Sequence, residues 1–322
     1  MGFSIAKRPF EFSALPGRYG APIVGGVVAL MLVITGEIGV VGTRLQLLTT
    51  LTGTIALVTG LADLLGGRRG VRLPLMRVRA TNLEAVRGVD PRVWLVAHID
   101  SKSQPISTAV RTLAVVLLGC ALVLAAGLAV ASIWWRDPTP FRVVQFLALA
   151  GGGLLLFAVV GSMSDGAADN ASGVASVLDA AALLPGNLPV GVLITDGEEL
   201  ALAGARAWAR ERPPRIAINC DTIDDAGRFV VMRYANSQGL ARQTIEVATR
   251  VDPRAMLISP LPGVLTDSVA FREARWDTVT LSRGTVRTLN RIHTVRDTLP
   301  SMRGTGIPDA ARILARLVEE LS

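Results

Sequence analysis

Histidine and cysteine are scarce in this chain of 322 residues, which has two of each. Cys120 lies inside an apolar run and Cys220 follows a predicted strand, so we expect no disulfide, as in proteins of a reducing compartment. Aromatic residues make up 5% of the chain, too few for a surface that stacks nucleic-acid bases. These absences argue against a disulfide-stabilised domain and against a base-binding platform.

Apolar residues, in contrast, are abundant. Half of the residues are hydrophobic and the mean hydropathy is +0.46, which is high for a soluble domain and predicts membrane segments. Four apolar runs, predicted to span a membrane as two hairpins, lie at 21–36, 45–65, 112–135 and 141–163. The first of these runs is not followed by the small-residue cleavage site of a signal peptide. For the second pair of runs, the alternative is two buried helices of a soluble domain.

Positive charge is concentrated beside the apolar runs. The net charge is +7, and arginines cluster in the stretch 67–79, after the first predicted hairpin. Lys7, Arg8 and Arg18 precede that hairpin, and two spans return the chain to its starting side. Because lysine and arginine are enriched in cytoplasmic loops, we predict a multi-pass protein of a prokaryotic plasma membrane with its globular domain in the cytoplasm. No nucleic-acid partner is expected.

The remainder of the chain alternates between strand and helix patterns. This alternation indicates an α/β sandwich. Predicted strands lie at 92–100, 189–195, 215–220, 228–234 and 276–282, and predicted helices lie at 174–184, 199–210, 238–251 and 307–321.

Two adjacent carboxylates, Glu198 and Glu199, follow the strand at 189–195. Neighbouring like charges repel, so such a pair is usually solvated or held by cations. Taken alone, the pair also fits the first turn of a helix, where the helix dipole favours acidic residues. The sequence around the pair leaves both interpretations open.

Both histidines accompany acidic residues at predicted strand ends. His98 ends one strand and His293 follows another, and further acidic residues occupy similar positions at Asp169 and Asp221. A lone histidine on an apolar strand is usually structural. Imidazole together with carboxylate is the ligand set of zinc or a similar divalent ion, so the residues favour a metal site whose ligand list stays open.

Five segments, in this order, resemble the successive motifs of the M28 family of zinc aminopeptidases. The resemblance covers roughly residues 72 to 322 apart from the hydrophobic insert, and it implies a mixed-sheet α/β/α zinc-peptidase domain carrying four transmembrane helices in two hairpins. The segments are Ala97-His-Ile-Asp-Ser101, Ala168-Asp-Asn-Ala-Ser-Gly173, Asp196-Gly-Glu-Glu-Leu200, Asn219-Cys-Asp221 and Ile292-His-Thr-Val-Arg-Asp-Thr298.

The resemblance implies a centre of two Zn²⁺ ions. His98 and Asp221 would bind one ion, His293 and Glu199 would bind the other, and Asp169 would bridge the two. Each of these residues belongs to one of the five segments.

The resemblance also implies two roles beside the metals. Glu198 would take a proton from the metal-bridging water and pass it to the leaving amine. Asp100 would orient His98 and fix its tautomer. A cis peptide often follows the family's bridging aspartate, which here would be the bond Asp169–Asn170.

This sequence departs from the family pattern at two places. In the late substrate loop, 266–271, Ser268 stands where the family usually has a histidine, which bears on substrate specificity. A hydrophobic hairpin also separates His98 from Asp169, where soluble members have a short loop. We therefore expect residues 1–66 to hold the N-terminal segment and first hairpin, and 67–322 a peptidase domain interrupted by a second hairpin at 108–163.

Together these features predict a membrane-bound dizinc metalloaminopeptidase that acts on peptides. Alternatives are a degenerate scaffold or receptor, and a glutaminyl cyclase or carboxypeptidase reaction on the same scaffold. The chain keeps every ligand, which weighs against the degenerate reading, and the four spans have almost none of the ionisable residues that a transporter would need. The polar arms beside the second hairpin reach no more than about 25 Å, so we expect a site near the lipid bilayer and a membrane-presented peptide. The oligomeric state is left open.

Overall fold

The computed structural model describes residues 2–66, 69–134, 137–260 and 264–322. Arg68 of the basic stretch and Trp135 at the end of the third apolar run lie outside these ranges. The chain divides into two compact units, each discontinuous in sequence. The first consists of Met1–Phe12, Arg77–Ser103 and Ser162–Ser322, and the second of Ser13–Met76 and Gln104–Gly161.

The first unit is built on one mixed sheet of eight strands. Its order is β1-β2-β4-β3-β5-β8-β6-β7. The four central strands, β4, β3, β5 and β8, are mutually parallel, whereas β2 and β6 flank them in the antiparallel sense. The strands are β1 Ser4–Ser13, β2 Arg77–Arg87, β3 Val93–His98, β4 Val190–Thr195, β5 Ile216–Ile223, β6 Arg228–Arg233, β7 Met256–Ile258 and β8 Asp277–Gly284.

Helices cover both faces of this sheet, because alternate strand residues point to opposite sides. Leu95 of β3 packs in a core with Val177, whereas its neighbour Val96 packs in another core with Trp208 and Phe271. The α/β/α architecture that the resemblance implies is therefore confirmed. The helices of this unit are α5 Ser172–Leu183, α6 Ala203–Arg210, α7 Gln238–Val251, α8 Asp267–Glu273, α9 Val286–Arg291 and α10 Ile307–Leu321.

The five predicted strands are confirmed as β3, β4, β5, β6 and β8, but β1, β2 and β7 were not predicted. β1 is largely exposed and carries several polar residues, so it lacks the apolar run of a central strand. The segment Met1–Phe12, which precedes the first hairpin, groups with the sheet in the first unit.

The second unit contains four long helices. They are α1 Leu15–Val41, α2 Arg44–Leu61, α3 Thr108–Ala131 and α4 Thr139–Leu156. Each belongs to a helical segment long and apolar enough to cross a membrane, by length and composition. The four predicted spans therefore correspond to four helices.

Small residues bring α1 and α4 close together. A Cβ at Gly25 would lie 2.6 Å from the Leu155 side chain, and one at Gly152 would lie 2.2 Å from Ala29. Close approach at glycine and alanine is how helices associate where no water drives them together. One buried polar contact, between Thr35 and Thr54 at 3.3 Å, joins α1 and α2.

The helix predicted at 199–210 begins four residues later than expected. The helix starts at Ala203. The residues before it form a turn, in which Gly197, Ala201 and Leu202 have positive φ. In this turn Leu202 N–H donates to the Glu198 carbonyl at 2.7 Å. Glu198 and Glu199 therefore lie in the turn and not on the first turn of a helix.

Candidate metal centre

The predicted site residues meet at the carboxyl ends of the central parallel strands. His98 is the last residue of β3, Asp221 lies near the end of β5, and Glu199 follows β4. Asp169 lies in the turn before α5, and His293 follows α9. In open α/β sheets this edge is where ligands bind, because the strand ends and the loops after them converge there.

These five residues form two buried groups that share Asp169. In the first group, His98 Nε2 lies 3.1 Å from Asp169 Oδ1 and 3.9 Å from Asp221 Oδ1. In the second, His293 Nε2 lies 2.6 Å from Asp169 Oδ2 and 3.2 Å from Glu199 Oε1. The pairing of histidines and carboxylates is the one that the family resemblance implies.

The donor set fits a divalent cation in each group. Zinc binds imidazole nitrogen and carboxylate oxygen at about 2.0–2.2 Å, so ligands of one ion lie within a few ångströms of each other. Within each group the candidate ligand atoms all lie within 4.8 Å of one another. Glu199 Oε1 is buried and accepts no hydrogen bond from the described residues, although His293 Nε2 is its near neighbour. An imidazole nitrogen and a carboxylate oxygen that converge in this way are the two ligand types that zinc binds.

Asp100 fixes the turn that carries the two glutamates. Its Oδ1 accepts the backbone N–H of Glu198 and its Oδ2 accepts that of Glu199, each at 3.0 Å. His98 Nδ1 lies 3.0 Å from the Asp100 carbonyl oxygen but 3.7 Å from its carboxylate. The expected contact with His98 is therefore made by the main chain, because the carboxylate is occupied by the turn.

Glu198 is placed beside the first group without belonging to either. Its Oε2 lies 4.0 Å from His98 Nε2, and its side chain is buried. Burial, together with Glu199 and other neighbouring carboxylates, raises the pKa of Glu198 well above its usual range despite the opposing effect of His98. A carboxylate that holds protons more tightly than usual is suited to proton transfer near neutral pH.

The remaining carboxylates of the site titrate over a wide range. Burial raises the pKa of Asp221 to about 7, and the charge of Asp169 adds to that effect. Burial opposes ionisation of Glu199 as well, but His293 and Lys102 outweigh it and lower its pKa to about 2. The pKa of His98 is held well above its ordinary value because the carboxylates around it outweigh its burial. Negative charge is therefore in excess, which favours cation binding.

Sequence reasoning missed two residues that position Asp169. Asp297 is fully buried and accepts the backbone N–H groups of Ala168 at 2.9 Å and Asp169 at 3.0 Å. Asn170 ties the same turn to β5 by donating to the Cys220 carbonyl at 2.9 Å. The Asp169–Asn170 peptide is cis, as the resemblance implies. Both residues lie within quoted motifs, but nothing in their spacing indicated these contacts.

A third missed residue is Lys102. Its Nζ contacts Glu199 Oε2, and its side chain is only 10% exposed. Lys102 follows the motif that contains His98 and Asp100. The signal that could have revealed it is compositional, because lysine is rare in this chain.

The substrate-loop departure is accommodated in the core. Ser268 is buried and accepts hydrogen bonds from Thr278 Oγ1 at 2.9 Å and Thr280 Oγ1 at 2.8 Å. Asp267 beside it is fully buried, and it accepts a hydrogen bond from Thr195 Oγ1. The serine therefore satisfies its hydroxyl within a cluster of threonines.

A sheet that brings two histidines and several carboxylates together at its carboxyl edge defines an α/β domain of the metallohydrolase class. The chain belongs to peptidase family M28, whose model matches residues 82–318. The match spans most of the chain and includes every predicted ligand. A comparison with curated proteins finds no match.

Solved structures of aminopeptidases share the fold. A zinc aminopeptidase from Bacillus subtilis is 16% identical with a TM-score of 0.50, covering 76% of this chain and 50% of that one. The aminopeptidase from Aneurinibacillus sp. strain AM-1 is 13% identical with a TM-score of 0.50, covering 76% and 48%. A leucine aminopeptidase precursor from Bacteroides thetaiotaomicron is 13% identical with a TM-score of 0.51, covering 91% and 96%. This chain thus spans about half the length of the first two.

Proposed function

We propose that the protein is a membrane-bound dizinc aminopeptidase that removes N-terminal residues from peptides. One observation carries the proposal: two buried groups of ligands meet at a shared carboxylate, Asp169. Membership of family M28 and the fold of zinc aminopeptidases support zinc as the metal. His98 and Asp221 would hold one ion, and His293 and Glu199 the other.

The residues around the ligands suit peptide hydrolysis. When bound, the zinc ions would polarise the scissile carbonyl and acidify the attacking water. Glu198 takes a proton from that water and delivers it to the leaving amine. Asp100 holds the backbone of Glu198 and Glu199 in place, so that base and ligand keep a fixed spacing.

The membrane assignment rests on the four apolar helices. Residues on both sides of each helical hairpin belong to the first unit, which is the pattern expected when pairs of spans return the chain to one side. The N-terminal basic residues and the arginines of 67–79 favour the cytoplasm as that side.

The substrate is proposed to be a peptide presented at the membrane. Between the ligand His98 and the start of α3 at Thr108 there are only nine residues, and they can extend over no more than about 35 Å. On the return, α4 ends at Leu156 and Asp169 follows 13 residues later, which limits that connection to about 45 Å. These short connections favour a hydrophobic peptide or the exposed N-terminus of a membrane protein.

Metal analysis combined with a panel of amino-acid anilides tests the proposed activity. Purified protein should contain two zinc ions per chain and should release aniline from unblocked substrates but not from N-acetylated ones. Release of ammonia from an N-terminal glutamine without cleavage would instead indicate glutaminyl cyclisation. Zinc-loaded protein that turns over neither class would support the scaffold reading and overturn the proposal.

A further inference from the structure

Lys102 places a buried positive charge against a predicted metal ligand. Its Nζ contacts Glu199 Oε2, while the other oxygen of that carboxylate, Oε1, faces His293 Nε2 at 3.2 Å. The Glu199 side chain is 2% exposed, so solvent hardly screens the pair. One oxygen of the Glu199 carboxylate thus contacts the Lys102 ammonium, and the other faces His293 in the second ligand group.

The choice of lysine at this position is unusual for the chain. Of its 33 basic residues, only Lys7 and Lys102 are lysines, and all the others are arginine. An ammonium is a compact point charge, whereas a guanidinium is a broad planar fork that suits bidentate pairing. The compact group fits a contact with a single carboxylate oxygen, which leaves the other oxygen for a second partner.

The loop around Lys102 is held on both sides of the residue. Ser101 Oγ donates to the Ser164 carbonyl at 2.9 Å, and Met163 N–H donates to Ser103 Oγ at 2.9 Å. These hydrogen bonds fix the backbone on either side of the lysine. The ammonium is therefore positioned by the fold, and the contact with Glu199 does not depend on a freely moving surface side chain.

We propose that Lys102 is a positioning residue that restricts Glu199 to one metal-binding oxygen and makes the two metal positions unequal. This inference rests on the dizinc centre proposed above. A divalent ion at the Asp169–Glu199–His293 position would share the Glu199 carboxylate with the Lys102 ammonium. The two positive charges would lie close together and repel. No lysine contact is present among the described residues of the His98–Asp169–Asp221 group, so that position binds metal more tightly and fills first.

The chain carries its own reporters for this order, because each group contains one of only two histidines. Full-length protein labelled with ¹⁵N in its imidazole rings is stripped of metal in detergent and titrated with zinc. The His98 signals should change with the first equivalent and the His293 signals with the second. The variant H293Q, which leaves a single labelled ring, assigns the signals.

Substitution of the lysine tests the cause. K102M, which is close in length and uncharged, should tighten the second zinc by roughly 10- to 100-fold, the range of typical coupling between sites. Both histidines should then respond together. Without metal, K102M should also melt at a lower temperature than the wild type, because Glu199 has lost its cation. Added zinc should remove this difference in melting temperature. K7M is the matched control and should behave as the wild type.

The outcomes separate this inference from the proposed function. Two zinc ions with unequal filling in the wild type, abolished in K102M, support the role of Lys102. A second zinc of unchanged affinity in K102M and in K102Q, or a His293 signal that responds first in the wild type, overturns it and leaves the dizinc centre intact. Wild-type protein that binds no zinc overturns both.

Discussion

The carboxylate of Asp297 accepts the backbone N–H of Asp169 at 3.0 Å, beside the shared position of the two ligand groups. Asp297 is fully buried, and the neighbouring N–H of Ala168 donates to its other oxygen. A backbone N–H hydrogen-bonded to a charged group is a strong interaction, and it leaves the Asp169 side chain free for other partners.

Replacing Asp297 by alanine should therefore loosen Asp169, the proposed bridging ligand. Two buried N–H groups would lose their acceptor, at a cost of about 1–3 kcal/mol each in unfolding free energy. We expect a lower melting temperature and a lower zinc content in D297A. Asp179, an exposed aspartate of α5, provides the control D179A, which should change neither. Normal zinc content in D297A would show that Asp169 is positioned without Asp297.

The substitution E198Q separates catalysis from metal binding. Glutamine keeps the size of the side chain but cannot accept a proton as a general base. General acid–base groups contribute about 10²- to 10⁴-fold to rate, so turnover should fall by that order while both zinc ions are retained. Turnover and zinc content are measured on the same preparation. Near-normal turnover in the zinc-loaded variant would remove Glu198 from the mechanism.

The buried cluster around Glu84 should contribute to the stability of the protein, and this contribution should be lost at acid pH. The Glu84 carboxylate accepts hydrogen bonds from Arg8 of β1 at 3.0 Å and from Trp208 Nε1 at 2.7 Å, and Arg212 also contacts it. Burial opposes ionisation of Glu84, but these partners outweigh it and lower the pKa below its usual value.

Since the folded-state pKa is the lower one, this stabilisation is present above the unfolded pKa and is lost as pH falls through the folded value. The melting temperature of the wild type should fall between about pH 5 and about pH 3, and that of E84Q should fall less. Parallel pH profiles for the two proteins would rule out this contribution.

Membrane orientation can be tested with single cysteines. Gln243 is exposed on α7 and Thr139 is exposed at the start of α4. With Cys120 and Cys220 replaced by alanine, Q243C should resist an impermeant thiol reagent in intact cells and react after lysis. T139C should react in intact cells. The reverse labelling pattern would place the first unit outside the cytoplasm.

The role of the second hairpin can be tested by replacing residues 108–162 with a short Gly/Ser loop. If the hairpin serves substrate access, the variant should keep activity on soluble peptides and lose it on peptides anchored in vesicles. The first hairpin remains as an anchor in this variant. An unchanged ratio of the two activities would show that the second hairpin only anchors the protein.

The central strands could be predicted because each is a short apolar run that is buried on both faces, as in β3 and β4. The outer strands β1 and β2 could not, because partly exposed strands with several charges resemble loops in sequence. The start of α6 was misplaced because the Asp100 carboxylate, almost 100 residues earlier, holds the turn before it.

The candidate ligands were predicted from ordered motifs, and the structure brings all five of them together. Lys102 and Asp297 were not predicted, because their partners, Glu199 and Asp169, are about 100 residues or more away in sequence. No local periodicity encodes such contacts. Only the folded sheet brings these residues to one edge.

The position of β1 dictates an order of assembly during synthesis. This strand ends at Ser13, whereas its neighbour in the sheet, β2, begins at Arg77, after both helices of the first hairpin. The ribosome therefore releases an edge strand long before its hydrogen-bonding partner exists. β3 and β4 are likewise separated by the second hairpin, so the sheet can close only after all four apolar helices have been made. In the proposed membrane-bound protein, both hairpins are therefore synthesised before the sheet of the first unit can close, and a nascent chain stalled between the hairpins would expose unpaired strand edges to chaperones.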